Sequence, residues 1–209
     1  VVKNLVNSDV SGIILIGCGI DNEVIVKLKT SKIPLLLVDN ELWEKDIDCV
    51  VNDNINGARK IVNHIIEMGH KKIGFIGGPM DHISFDQRYT GYVKAIKHAG
   101  IEINNDFIRF CNPKQEYSTA GYKEIKNFLK SSDNLPSAFF VANDELAVGV
   151  LRYLKELNYR IPEDISIAGF DDIDMARHTV PSLTTIRIFK ERMGIHAGKR
   201  IKELIDGTL

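Results

Sequence analysis

No hydrophobic run in this chain is long enough to cross a bilayer. Its longest apolar stretches are about six residues, far short of the ~18 that a spanning helix needs. Charge of one sign is not in excess either. With 27 Lys and Arg against 28 Asp and Glu, the formal net charge is -1, and nothing resembles the polybasic face of a nucleic-acid binder. Cysteine is scarce. Cys18, Cys49 and Cys111 lie far apart, with no CxxC pair and no even framework. That argues against a secreted disulfide scaffold and a zinc site, and fits a reducing, cytoplasmic compartment. The first residues lack the charged and apolar regions of a signal peptide, and Val1 to Asn7 reads as the end of a helix. Internal repeats and low-complexity segments are missing as well.

Catalytic signatures are equally sparse. There is no GxSxG and no HExxH. The six histidines are scattered, and no cysteine has an evident base partner. GCG at Gly17 to Gly19 follows a strand-like run, and Asp39 ends the next one, which mimics a dinucleotide fingerprint. Asn22 holds the place of its third glycine, however. GIHAGK (Gly194 to Lys199) is one residue short of a P-loop and falls within a helical period. The expectation is therefore a protein that is not an enzyme, with no cofactor and no metal.

What the chain does have is alternation. At 209 residues and 44% hydrophobic it can bury a core. Strand candidates are Ile13 to Ile16, Leu35 to Val38, Val50 to Val51, Ile73 to Ile76, Phe107 to Phe110, Ala138 to Val141, Ile165 to Ala168 and Leu183 to Ile186. Several are too uniformly apolar to be half-solvated. Helical periods lie between them. Ala58, Ile61, Val62, Ile65 and Ile66 form one apolar face closed by Gly69. Ala147, Val150, Leu151 and Leu154 form another, and Met193, Ala197, Ile201 and Leu204 mark a last helix before Gly207. Strand and helix at this spacing predict βαβ units, an α/β fold with parallel sheets covered by helices.

In such sheets ligands bind beyond the carboxyl ends of the strands, so the polar residues there are the candidates. Asp39 and Asn40 follow LLLV, Asp53 and Asn54 follow VV, Asn143 and Asp144 follow AFFVA, and Asp171 and Asp172 follow IAGF in DISIAGFDDI. Helix capping is the competing explanation, and it accounts most simply for Asp53, Asn54 and Asp144. Asp171 resists it, because two carboxylates and a short polar segment follow with no strong helix. Arg88 lies in SFDQRYTGYVKAI, where Tyr89, Tyr92, Val93 and Ile96 form the inward face of a helix. It is either a solvated surface arginine or a planar five-donor fork aimed at a ligand.

The segments SGIILIG, IPLLLVDN, VVNDNINGARKIVNHIIEMGHKKIGFIGGP, QRYTGYVKAIKHAGI, FFVANDELAVGVLRYLKELNYRIPEDISIAGFDDIDMAR and PSLTTIRIFKERMG, in that order, resemble the effector-binding core of LacI/GalR-type bacterial transcription regulators over nearly the full chain. The resemblance implies a two-lobed, periplasmic-binding-protein-like α/β fold, each lobe a parallel sheet flanked by helices. The N-terminal lobe would be residues 1–53 completed by 187–209, and the C-terminal lobe 54–186. A small polar effector would sit between the lobes, a sugar or sugar phosphate first and a purine second.

Residue by residue, the resemblance makes Arg88 the arginine that grips the effector, Asn143 the asparagine of the AND motif and Asp171 the first aspartate of GFDD. Asp39 matches the N-lobe aspartate that ends its strand, and Ile16 and Gly17 would line the wall through backbone. His82 and Ser84 fall six and four residues before the arginine, where effector-selective side chains sit. Tyr117 stands one place off the family's stacking aromatic, because Glu116 takes the fifth position before the glycine of TAGY. The resemblance begins after the family's helix-turn-helix, hinge and first βαβ segment and ends before its last C-lobe strands. Operator DNA would therefore be a partner only through a domain outside this chain, and a homodimer without membrane attachment is implied. An exported solute-binding protein of a transporter is the alternative, distinguished by the residues encoded before Val1. A nucleotide-dependent enzyme is a third, tested by cofactor titration.

Overall fold

In the computed structural model, residues 9–17, 20–40, 46–111, 115–131 and 134–208 are described. The expected helix end at Val1 to Asn7, and Cys18 and Gly19 of the GCG step, lie outside them. The chain divides into two compact units, Val1–Asn52 with Phe189–Leu209, and Asp53–Ile188.

In the first unit, apolar runs flanked by polar turns become three short strands. These are β1 (Ile13–Ile16), β2 (Leu35–Val38) and β3 (Asp48–Val50), ordered β1-β2-β3 with every pair parallel. Helix α1 (Asn22–Thr30) starts at Asp21, whose carboxylate accepts the Glu23 amide. Because strand side chains alternate, Leu35 and Leu37 join Ile13, Ile25 and Leu28 on one face. Leu36 and Val38 meet Ala197 of the C-terminal helix (Lys190–Asp206) on the other. GIHAGK lies inside that helix, which stops at Gly207 in the left-handed conformation.

In the second unit, β4 (Ile73–Gly77), β5 (Ile108–Phe110), β6 (Ala138–Val141) and β7 (Ser166–Ala168) form a parallel sheet ordered β5-β4-β6-β7. All residues of β4 and β6 are buried, as runs apolar on both faces must be. Helices α2 (Asn54–Glu67) and α3 (Ile83–His98) pack as one pair, and α4 (Tyr117–Ser131) and α5 (Asp144–Glu156) as another. A short helix α6 (Asp174–His178) follows β7, and the helix Lys190–Asp206 of the first unit is α7. The chain leaves β4 for β5 on one side, then returns to place β6 on the other. That reversal opens a crevice at the carboxyl ends of β4 and β6, where His82, Ser84, Arg88 and Asn143 lie.

Three sequence expectations shift. The strand expected at Val50 to Val51 is Asp48–Val50, and Phe107 belongs to a 3-10 turn (Asn105–Phe107) before β5. The strand expected at Leu183 to Ile186 is not a regular one. The segment runs beside the end of β7 through two isolated parallel bridges, Ala168 with Thr184 and Asp171 with Arg187. The partner backbone turns away after Ala168, where Asp171 and Asp172 both take positive φ.

Candidate functional site

Arg88 projects from the second turn of α3 and is only 4% exposed, which excludes the solvated-arginine reading. Its guanidinium is held on every side. Nε donates to Asn54 Oδ1 at 3.0 Å, Nη1 to the Ala142 carbonyl at 2.7 Å, and Nη2 pairs with Asp171 Oδ1 at 3.0 Å. The plane lies 4.0 Å over the Phe170 ring. Asn54 is itself fixed, donating through Nδ2 to Gln87 Oε1 at 2.8 Å. A buried charge is tolerable only when it is paired and hydrogen-bonded, and these contacts meet that condition without using every donor of the fork.

Asp171 reaches Arg88 from the far side of the crevice. Its side chain keeps 20% of its surface exposed, so the pair is open on the carboxylate side. The backbone there has a φ of 122°, a region that side chains rarely adopt. It is held by two bonds to the segment that runs beside the end of β7, Asp171 N to Ile186 O at 2.8 Å and Ile188 N to Asp171 O at 3.5 Å. Strain of this kind costs of order 1–3 kcal/mol and persists where the surroundings over-determine it. Asp171→Gly is therefore expected to be more stable than Asp171→Ala by about 1 kcal/mol, read from urea midpoints, since both lose the ion pair and only alanine keeps the strain. Equal midpoints would remove the strain argument.

Asp172 faces elsewhere. Its carboxylate accepts from Arg187 and from Arg177 Nη2 at 3.3 Å. The Arg187 bond first, and that of Arg177 next, hold its carboxyl below the usual range. A depressed carboxyl contributes stability above its unfolded pKa and loses it as pH falls through the folded value. Asp172→Asn is thus expected to lower the urea midpoint near pH 7 and to approach the wild type as pH falls through the folded value, below the ordinary aspartate range. A difference that stays constant across that range contradicts the role.

The other sequence candidates of this unit fall into two groups. Asn143 caps α5, its Oδ1 accepting the Leu146 amide at 2.8 Å. The cap occupies the side-chain carbonyl and sets Asn143 directly after Ala142, whose carbonyl Arg88 holds. The His82 and Tyr117 rings both meet Phe85. The His82 and Phe85 rings stack at 6.0 Å, and Phe85 meets Tyr117 edge-on at 5.6 Å. Ser84 is buried one helical turn before Arg88 on the same face of α3. His82 Nδ1 is buried without a hydrogen-bond partner. A groove of about 710 Å³ lies along the start of α4 and α5, lined by Tyr117, Glu145, Arg152 and Met175 among others. Of the sequence candidates only Tyr117 reaches it.

Asp39 belongs to the first unit. It ends β2 with a φ of 56°, its amide donating to Val50 O at 3.0 Å and its carboxylate accepting from Asn52 Nδ2 at 3.1 Å. There Ile16 is 73% exposed, and the Gly17 amide bonds Val38 O.

Capping explains Asp53, which accepts the Asn56 amide, but it does not explain Asn54 or Asp144. Asn54 orients Arg88. Asp144 is completely buried, with Oδ1 accepting from Thr185 Oγ1 at 2.6 Å and Oδ2 from the Ile173 amide at 3.0 Å. Phe170, Thr185 and Arg187 also went unflagged by sequence. The only available signal was their position within GFDD or TTIR. Among the described residues, no cluster of three His, Cys, Asp or Glu could hold a metal ion, and no helix is long and apolar enough to cross a membrane.

Comparison with known proteins follows the same lines. A family model described as periplasmic binding protein-like domain matches residues 62–208. An HTH-type transcriptional repressor PurR from Pasteurella multocida (strain Pm70) is 34% identical over 178 residues, covering 84% of this chain and 52% of that protein. The protein of the same name from Haemophilus influenzae (strain ATCC 51907 / DSM 11121 / KW20 / Rd) is 36% identical over 171 residues, covering 80% and 48%. The chain thus spans about half the length of the curated relatives it matches. Among solved structures, a transcriptional regulator CelR–cellobiose complex superposes with a TM-score of 0.91 at 27% identity, covering 100% of this chain and 63% of that one. A sugar-binding transcriptional regulator of the LacI family from Escherichia coli, complexed with phosphate, gives 0.85 at 25% identity, covering 100% and 74%.

Proposed function

Because the chain belongs to the periplasmic binding protein-like domain family, we propose that it is the effector-sensing core of a LacI-type transcriptional regulator. The observation that carries this reading is the pairing of buried Arg88 with the half-buried Asp171 at the carboxyl edge of the four-stranded sheet. A charge pair held by Asn54, Ala142 and Phe170 yet open on its carboxylate side suits a ligand rich in hydroxyls. Arg88 donates, Asp171 accepts, and the Asn143 amide supplies a further donor. Sugars and sugar phosphates fit that set, with purines second. His82 and Tyr117, which meet Phe85, and Ser84 on the face of Arg88 form the wall that selects among them.

The ligand acts by population shift. It can move an equilibrium only by its differential affinity for the two states, and the Arg88–Asp171 geometry is where that difference arises. In the full-length regulator, a homodimer, the shift alters the spacing of the DNA-reading heads relative to two operator half-sites. The relatives named above are repressors and regulators, which favours this reading over an exported solute-binding protein of the same fold.

A thermal-shift screen of monosaccharides, disaccharides including cellobiose, sugar phosphates and purines tests it. One chemical class is expected to raise Tm in a concentration-dependent way, as a ligand that binds only the folded state must. A panel without any such response would sink the proposal.

A further inference from the structure

We propose that Asp144 is a positioning residue of the effector site, its buried carboxylate tying residues 169–173 to the bridged segment 184–187 and so aiming Asp171 at Arg88. The geometry is that of a latch. One oxygen takes the Thr185 hydroxyl and the other the Ile173 amide, while the Asp172 amide reaches the same hydroxyl at 3.5 Å. The Asp144 amide donates to Phe170 O at 2.8 Å, one residue before Asp171. The fit leaves no slack. A Cβ at Gly169 would collide with Asp144 Oδ1 and lie 2.9 Å from Leu183, so only glycine lets the carboxylate in. The bonds hold both sides of the strained Asp171, whose own backbone spans the same two segments.

The Thr185 hydroxyl and the Ile173 amide, both neutral, donate to this carboxylate, and the charge that acts on it is that of Asp172, itself held by Arg187 and Arg177. Burial pushes the Asp144 carboxyl up, the Thr185 and backbone hydrogen bonds oppose that, and the Asp172 charge adds to it. Proton uptake changes the latch in one definite way. The Ile173 amide can only donate and must stay on a carbonyl oxygen, whereas the Thr185 hydroxyl can turn from donor to acceptor. Protonation therefore reverses one bond of the latch and leaves the other in place. By linkage, a carboxyl with a raised folded pKa makes the native state take up protons first, so its contribution to stability grows as pH falls through that value and declines as pH rises.

This inference rests on Arg88 and Asp171 as the effector groups, and it is tested without a ligand. In nitrogen-15 NMR spectra of the protein, the Ile173 and Asp171 amides and the Arg88 Nε–H signal are expected to shift together through one midpoint above the ordinary aspartate range. Asp144→Asn should abolish that midpoint at all three positions. Thr185→Val, which removes a bond that favours the charged form, should move it to higher pH. The second variant decides the matter if the first does not fold. An Arg88 signal that stays still while Ile173 titrates, or a midpoint that survives Asp144→Asn or does not rise in Thr185→Val, overturns the proposal. If the three signals move together while Arg88 variants bind effector normally, the latch stands and the effector site is elsewhere.

Discussion

Arg88→Met is expected to weaken effector binding at least about 100-fold, near 3 kcal/mol, and to lower the stability of the second unit by about 3 kcal/mol. Methionine fills the space of the arginine stem and adapts to irregular gaps, so the loss reports the guanidinium rather than a cavity. Three acceptors lose their donor at once, namely Asn54 Oδ1, the Ala142 carbonyl and Asp171 Oδ1. Asp171 can rehydrate because its side chain is partly exposed. The acceptors packed under Arg88 cannot do so as readily, and leaving a buried acceptor unsatisfied costs roughly 1–3 kcal/mol. Arg88→Lys keeps the charge but loses the planar fork, so it should fall between wild type and methionine in both measurements. Urea unfolding and calorimetric titration with the hit of the thermal-shift screen check the two effects separately. Methionine that unfolds the protein no more readily than lysine does would show that the fork carries no structural weight.

The second large effect is steric. Gly149 on α5 and Gly121 on α4 let the two helix backbones touch. A Cβ at Gly149 would run into the Ser118 carbonyl and the Tyr122 amide, and one at Gly121 into the Leu146 carbonyl. Neither obstacle is a side chain that could rotate away, so the helices themselves must separate. Gly149→Ala is expected to cost about 3 kcal/mol, the upper end of ordinary overpacking, and to lower Tm by roughly 6–12 °C for a chain of this size. The consequence extends to the site, because Asn143 caps α5 and Tyr117 opens α4. Effector affinity should fall along with Tm, even though Gly149 touches no proposed ligand group. Gly194→Ala is the matched control. It lies on α7 with nothing within 4 Å of a new Cβ, and the gain in helix propensity should leave Tm unchanged or slightly raised. An equal loss in both variants would argue against close backbone approach as the cause.

Strands and helices were legible because burial on both faces leaves its mark on composition. AFFV and LLLV are apolar at every position and become β6 and β2 with the expected bounds. The 3.6-residue period of Ala58, Ile61, Val62 and Ile65 likewise becomes the buried face of α2. Segments stabilised by one partner strand read less well. PSLTTI reads as a strand-like run but forms only isolated bridges, since the chain opposite turns at two aspartates with positive φ, and hydrophobic pattern carries no trace of φ.

The site was half legible for a similar reason. A polar residue after a strand looks the same whether it caps a helix, holds an arginine or latches a loop. Asp53, Asn54, Asn143 and Asp144 share that position, yet Asp53 and Asn143 cap helices, Asn54 holds Arg88 and Asp144 takes the Thr185 hydroxyl. Which one applies depends on what a distant segment brings. Thr185 reaches Asp144 across 41 positions, and Asn54 reaches Arg88 across 34. Arg88 shows the limit most clearly. Its helix and its inward-facing neighbours could be read from spacing, but its burial depends on Phe170 and Ala142, which the sequence places far away.

The central claim is that the Arg88–Asp171 pair holds the effector. The most direct measurement is the calorimetric affinity of one screened ligand for wild type, Arg88→Met and Asp171→Ala under identical buffer, with folding of each variant checked by circular dichroism. The expected result is a loss of at least about 100-fold in both variants, with secondary structure preserved. Affinities within twofold of wild type in both folded variants would contradict it.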